Sequence, residues 1–88
     1  MSKTTKKSEI ELYVISKVKS LREQANCTQS ELAFRLGVSN GFVGQVESSN
    51  SSSKYNLDHI DKLAVIFKCS PKDFIPDVPI NKGSKEPL

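Results

Sequence analysis

The apolar residues of this 88-residue chain recur at steps of three and four in several short segments, which is the spacing of one face of an α-helix. The sequence Ser8-Glu9-Ile10-Glu11 has the form of a capping box, so we expect a first helix that starts there and ends near Asn26. The charged residues of this segment stay off one apolar stripe. That stripe consists of Ile10, Val14, Val18 and Leu21.

A second capping box, Thr28-Gln29-Ser30-Glu31, predicts a short helix that ends at Gly37, because glycine adopts the left-handed conformation of a helix end at little steric cost. We expect Ser39 to cap a third helix that runs from Asn40 to about Ser48. Helices this short are unstable alone, so both must pack on helices one and four. Their inward faces are expected to contain Leu32, Ala33, Leu36, Val43 and Val46.

The serine-rich stretch SSNSSSKYN, residues 48–56, predicts a loop, because serine and asparagine side chains bond their own backbone and bury nothing. Either Asn56 or Asp58 then caps a fourth helix. Its apolar stripe is the strongest in the chain and consists of Leu57, Ile60, Leu63, Ala64 and Phe67. The sequence Ser70-Pro71-Lys72-Asp73 predicts a short fifth helix that carries Phe74 and Ile75.

These elements predict an all-α protein, a compact five-helix domain over residues 8–77. Residues 1–7 are expected to form a flexible basic tail and residues 78–88 a flexible C-terminal tail. The 13 basic and 10 acidic residues give a net charge of +3, and the surplus lies in the N-terminal part. We expect Lys3, Lys6 and Lys7 to be solvated, with contacts to phosphate as the less favoured alternative.

The remaining composition excludes several classes of protein. No apolar run approaches the roughly 20 residues of a membrane span, and no hydrophobic stretch follows the first lysines as in a signal peptide, so we expect a cytoplasmic protein. Cys27 and Cys69 lack the spacing of metal or redox motifs and are expected to be reduced. The single histidine, His59, lies on a polar helix face, which favours a surface or hydrogen-bonded role. We therefore expect no metal, no cofactor and no enzymatic activity.

Residues 28–47 fit the pattern TQ-x-x-L-A-x-x-x-G-V-S-x-x-x-V-x-x-x-E. This pattern closely resembles the helix-turn-helix of the Cro and phage-repressor (XRE) family, and the resemblance extends over about Val14 to Asp77. It implies a λ-repressor-like fold in which helices two and three form the helix-turn-helix. In such a motif the second helix enters the major groove of DNA.

The resemblance also implies roles for individual residues. Base edges would be contacted by Ser39, Asn40, Gly41 and Gln45, since amide side chains can bond the N6 and N7 atoms of adenine. DNA phosphates would be contacted by Thr28, Gln29, Ser49, Asn50 and Lys54, although the serine run replaces the glycine and basic residues usual in relatives. Arg22 and Glu47 would form an ion pair that braces helix three.

The expected function is a sequence-specific transcriptional regulator of double-stranded DNA, acting as a repressor. It would be a homodimer on a two-fold symmetric site, and Phe74 and Ile75 in the helix five region are the candidate dimer contacts. The alternative is a protein-interaction module with the same fold, such as an antitoxin or a coactivator, which would bind a protein partner. The salt dependence of DNA affinity distinguishes the two.

Overall fold

A computed structural model describes residues 7–81, 83 and 88 of the chain. Over these residues the fold is all-α, as predicted, and no strand occurs in them. The predicted tail residues Lys3 and Lys6 lie outside the described residues, as does most of the chain after Asn81. The four α-helices are α1 (Glu9–Gln24), α2 (Gln29–Leu36), α3 (Phe42–Glu47) and α4 (Leu57–Phe67), and a 3-10 turn (Pro71–Phe74) follows them.

Polar side chains fix where most of these elements begin. The N-cap side chains of Ser8, Thr28 and Asn56 each accept a hydrogen bond from the backbone N–H of the residue three positions later. The side chain of that later residue in turn accepts a hydrogen bond from the backbone N–H of the N-cap residue. Ser70 forms a similar box with Asp73 before the 3-10 turn. Gly37 ends α2 with a left-handed φ of 76°. The predicted starts of α1 and α2 are therefore confirmed, and of the two candidates for the cap of α4 the structure has Asn56.

The predictions for the third and fifth helices are wrong in detail. The first residue of α3 is Phe42, and its N-cap is Gly41, which forms no side-chain cap. Ser39 is therefore not a side-chain cap, and its carbonyl instead accepts the N–H of Phe42 at 3.0 Å in the turn before α3. The fifth element is a single 3-10 turn rather than an α-helix. Ile75 is extended because the residue before a proline is disfavoured in the helical conformation.

The core lies between α1, α2, α3, α4 and the 3-10 turn. Among its fully buried side chains are Val18, Leu32, Ala33, Leu36, Val43, Val46, Leu63 and Phe74. Two predicted stripe residues are outside it. Leu57 is 83% exposed because it is the first residue of α4 and the inward face begins at Ile60. Ile10 is also exposed, because the inward face of α1 is rotated toward Ile15 and Arg22.

The expectation that Lys7 belongs to a solvated tail is wrong. The residue is only 5% exposed, and its Nζ donates to the backbone carbonyls of Ser48, at 2.6 Å, and Ser51. An ammonium group has three donors and no acceptor, so it turns toward clustered carbonyl oxygens when these are near. No helix within the described ranges is long and apolar enough to cross a membrane.

Candidate nucleic-acid interface

Close packing against α2 sets the position of α3. Val43 and Val46 are buried in the core on the inner side of α3, and Ala33 is buried on α2. At Gly44 a Cβ atom would lie 3.2 Å from the side-chain oxygen of Gln29, so the small residue allows the two helices to approach. The tight turn at Gly37 joins them. This is the geometry of a helix-turn-helix.

A network around the Glu47 carboxylate joins α1, α2 and α3. Arg22 donates from Nε to Oε2 and from Nη2 to Oε1 of Glu47, each at 2.9 Å, so the ion pair expected between these residues is present as a bidentate contact. Gln29 Nε2 donates to the same Oε1 at 2.8 Å. Arg22 Nη1 also donates to the Cys27 carbonyl at 2.8 Å. The hydrogen bonds to Glu47 hold the pKa of the Arg22 guanidinium above its usual value.

The residues assigned to base contacts share one exposed surface. Ser39, Asn40 and Gly41 lie in the turn that leads into α3, and Gln45 lies on the first full turn of the helix. All four are exposed. Within the described part of the chain, the side chains of Asn40 and Gln45 form no hydrogen bond, so their amide groups are available to a ligand. We call these four residues the α3 face.

The five residues assigned to phosphate contacts are also exposed, but they are not equally available. Thr28 Oγ1 accepts the N–H of Glu31 at 3.0 Å, and the Gln29 amide is bonded to Glu47. Lys54 lies farther along the loop after α3, and its Nζ is 2.9 Å from a carboxylate oxygen of Glu11 on α1, so its charge is already paired. Ser49 and Asn50 follow α3 directly and are the most accessible of the set.

The α3 face and the first part of the loop after it, up to Ser53, carry almost no charge. Residues 36–53 contain no lysine or arginine, and their one charged residue, Glu47, is buried in its ion pair. Among the described residues outside the loop, Lys7, which was expected in a solvated tail, brings a cation to the loop carbonyls of Ser48 and Ser51. No sequence signal identifies this contact, because its acceptors are backbone carbonyls 41 and 44 residues away.

An aromatic cluster supports the other side of α3. The rings of Phe42 and His59 have centroids 5.1 Å apart, and Tyr55 packs edge-on against both. His59 Nδ1 accepts the backbone N–H of Asn56 at 3.0 Å, so the histidine is hydrogen-bonded as expected. Partial burial, assisted by Lys62, lowers the pKa of His59, because both disfavour the charged ring.

The candidate dimer residues differ in position. Phe74 is fully buried in the core of its own chain, so its assignment to a dimer contact is wrong. Ile75 is exposed and lines an apolar groove of about 340 Å³ between α1 and the start of α4. Apolar residues Ile10, Val14, Leu57 and Ile60 line the same groove. Among the residues that the structure describes, no three His, Cys, Asp or Glu side chains cluster as a metal site would require.

Comparison with known proteins identifies the family. A family model described as helix-turn-helix, HTH_3, matches residues 18–74. The structure is similar to the crystal structure of the restriction-modification controller protein C.AhdI from Aeromonas hydrophila, with 27% identity and a TM-score of 0.60, and the match covers 72% of this chain and 92% of that chain. No curated protein matches the chain significantly. The resemblance predicted from residues 28–47 is thus confirmed, and the chain belongs to the HTH_3 (XRE) helix-turn-helix family of DNA-binding transcription regulators.

Proposed function

We propose that this protein is a sequence-specific regulator of transcription that reads the major groove of double-stranded DNA with the α3 face. The observation that carries the proposal is the exposure of Asn40, in the turn before α3, and of Gln45, on the outer side of α3; neither amide has a partner in the described chain, and the inner side of α3 is buried. Such amides match the donor and acceptor edge of adenine. The similarity to a restriction-modification controller protein supports a regulatory role, and we propose repression as its direction.

The rigid setting of α3 supports this proposal. Base readout requires the reading side chains to be held in place by buried neighbours. Here the helix is fixed by Val43 and Val46 below it and by the bidentate pair between Arg22 and Glu47 at its C-terminal end. Thr28, Ser49 and Asn50 lie at the two ends of the motif and would contact phosphates through hydroxyl, amide and backbone N–H groups. Gln29 would serve mainly to orient Glu47.

A homodimer is the proposed active form. Helix-turn-helix dimers bind two half-sites about one helical turn, roughly 34 Å, apart. The groove at the predicted dimer region has an exposed apolar rim, which consists of Ile10, Leu57 and Ile75. Burying them against the same groove of a second copy would remove this rim from water.

Selection of bound sequences from a random pool of double-stranded DNA tests the proposal. We expect a palindromic consensus with half-sites about 10 base pairs apart. Affinity for the selected site should fall as salt rises, with a log-log slope of about −0.9 for each phosphate neutralised. Recovery of no consensus, together with no detectable binding to genomic DNA at low salt, would contradict the proposal. That result would favour a protein-interaction module, which the uncharged surface of residues 36–53 also fits.

A further inference from the structure

We infer that Lys7 is a positioning residue that fixes the loop after α3 in the conformation needed to contact the DNA backbone. The inference rests on the proposed function, because it assigns Ser49 and Asn50 to phosphates. Lys7 lies 41 residues before Ser48 and 44 before Ser51, yet its ammonium group donates to the carbonyls of both. The two accepting residues flank Ser49 and Asn50 on either side.

The other hydrogen bonds of residues 48–53 are local. Ser51 N–H donates to the Ser48 carbonyl at 3.4 Å, and Asn50 N–H donates to Ser48 Oγ at 3.2 Å. Ser53 N–H donates to Ser51 Oγ at 3.1 Å. Hydrogen bonds between residues only two or three apart restrict the backbone little. By themselves they would leave this serine-rich segment with many accessible conformations. Among the described residues, Lys7 supplies the hydrogen bonds that tie residues 48–51 to a distant element, and the ion pair of Lys54 with Glu11 of α1 holds the loop farther on.

The position of Lys7 in the chain makes it an effective anchor. The next residue, Ser8, is the N-cap of α1, so the backbone at Lys7 is joined directly to a capped helix. Its side chain is then buried against the loop. A hydrogen bond from a charged donor is stronger than one between neutral groups, and two of them act here on one short segment.

The contact also brings charge to a surface that otherwise lacks it. Residues 36–53 contain no cationic side chain of their own, and the ammonium of Lys7 places a positive charge against the carbonyls of Ser48 and Ser51. A phosphate bound at Ser49 or Asn50 would experience that charge through the loop, where the burial of Lys7 limits screening by solvent. Lys7 therefore acts on DNA in two ways, through the shape of the loop and through its charge. Both effects are independent of base sequence.

The decisive experiment compares Lys7→Met with Lys17→Met, a matched change at an exposed lysine of α1. The first measurement uses the free protein. In Lys7→Met we expect backbone NMR order parameters of residues 49–52 to fall below about 0.6, whereas those of the control stay near the roughly 0.85 of rigid backbone. Unchanged order parameters in Lys7→Met would overturn the inference whatever the protein binds. Should Lys7→Met fail to fold, Lys7→Gln, which keeps a neutral donor, takes its place.

The second measurement is affinity for the DNA sequence selected by the parent protein and for a scrambled duplex. Loss of one or two charge-assisted bonds is expected to weaken both affinities by about tenfold, with the ratio between them unchanged. A mobile loop with unchanged affinities would overturn the role of Lys7 while the proposed function stands. No binding of either duplex by the parent protein would overturn the proposed function, and the DNA-binding role of Lys7 with it.

Discussion

The ion pair between Arg22 and Glu47 provides a sharp test of how α3 is held. The side chains are only 10% and 4% exposed, respectively, and the carboxylate accepts two bonds from Arg22 and one from Gln29. In Arg22→Met the arginine is replaced by an apolar side chain of similar length. Glu47 would then remain a buried carboxylate with Gln29 as its one remaining side-chain donor in the described chain.

The size of the effect follows from this burial. Removing one partner of a buried ion pair costs about 3 to 5 kcal/mol, because the other charge is left uncompensated. A domain of about 70 residues has a free energy of unfolding of about 4 to 10 kcal/mol. Arg22→Met should therefore remove a large part of the free energy of unfolding. The double variant Arg22→Met/Glu47→Leu removes the stranded charge as well and should recover at least about half of the loss.

Urea unfolding followed by circular dichroism measures these free energies. Arg35→Met is the control, since Arg35 is exposed on α2 and its substitution should change stability by no more than about 0.5 kcal/mol. A loss below about 1 kcal/mol in Arg22→Met would match an exposed ion pair and contradict a buried one. The same conclusion would follow if the losses in free energy of unfolding of Arg22→Met and of Glu47→Leu summed to the loss of the double variant.

Three further predictions concern the other side of the domain. The lowered pKa of His59 means that the unfolded chain binds a proton at higher pH than the folded one, so the free energy of unfolding should fall as pH drops below about 6.5. His59→Gln keeps an acceptor for Asn56 N–H and should flatten this profile between pH 8 and 5, which parallel urea titrations would show. Tyr55→Phe removes a buried hydroxyl that has no hydrogen-bond partner in the described chain, and should raise stability by about 1 to 3 kcal/mol; a loss would contradict it. Ile75→Glu should shift sedimentation toward the monomer, and an unchanged dimer would place the interface elsewhere.

The features predictable from sequence are those decided by near neighbours in the chain. The capping boxes at Ser8, Thr28 and Asn56 join residues three apart, and the left-handed end of α2 needs only Gly37. Local chemistry of this kind is visible in any short window. The pair between Arg22 and Glu47 is not local, and it was predictable only because the family pattern fixes both positions.

The features that the sequence did not predict depend on contacts between residues that are far apart in the chain. Phe74 looks like an available apolar residue in the sequence, but the 3-10 turn places it in the core. Lys7 looks like part of a charged tail, because nothing in its neighbourhood shows that the carbonyls of a distant loop lie beside it. Gln29 stays a predicted phosphate contact, but the bond from its amide to Glu47 was not visible in the sequence. Each depends on tertiary contacts that periodicity and capping signals do not encode.

Substitution of Gln45 by alanine shows whether the α3 face reads bases. Gln45 is exposed on α3 and forms no hydrogen bond within the described chain, so its removal should leave the fold intact. Affinities of parent and variant are measured for the selected site and for random DNA at one salt concentration. The proposal predicts a loss of about 1 to 3 kcal/mol on the selected site and almost none on random DNA. Equal losses on both, or no loss on either, would contradict base reading by this residue.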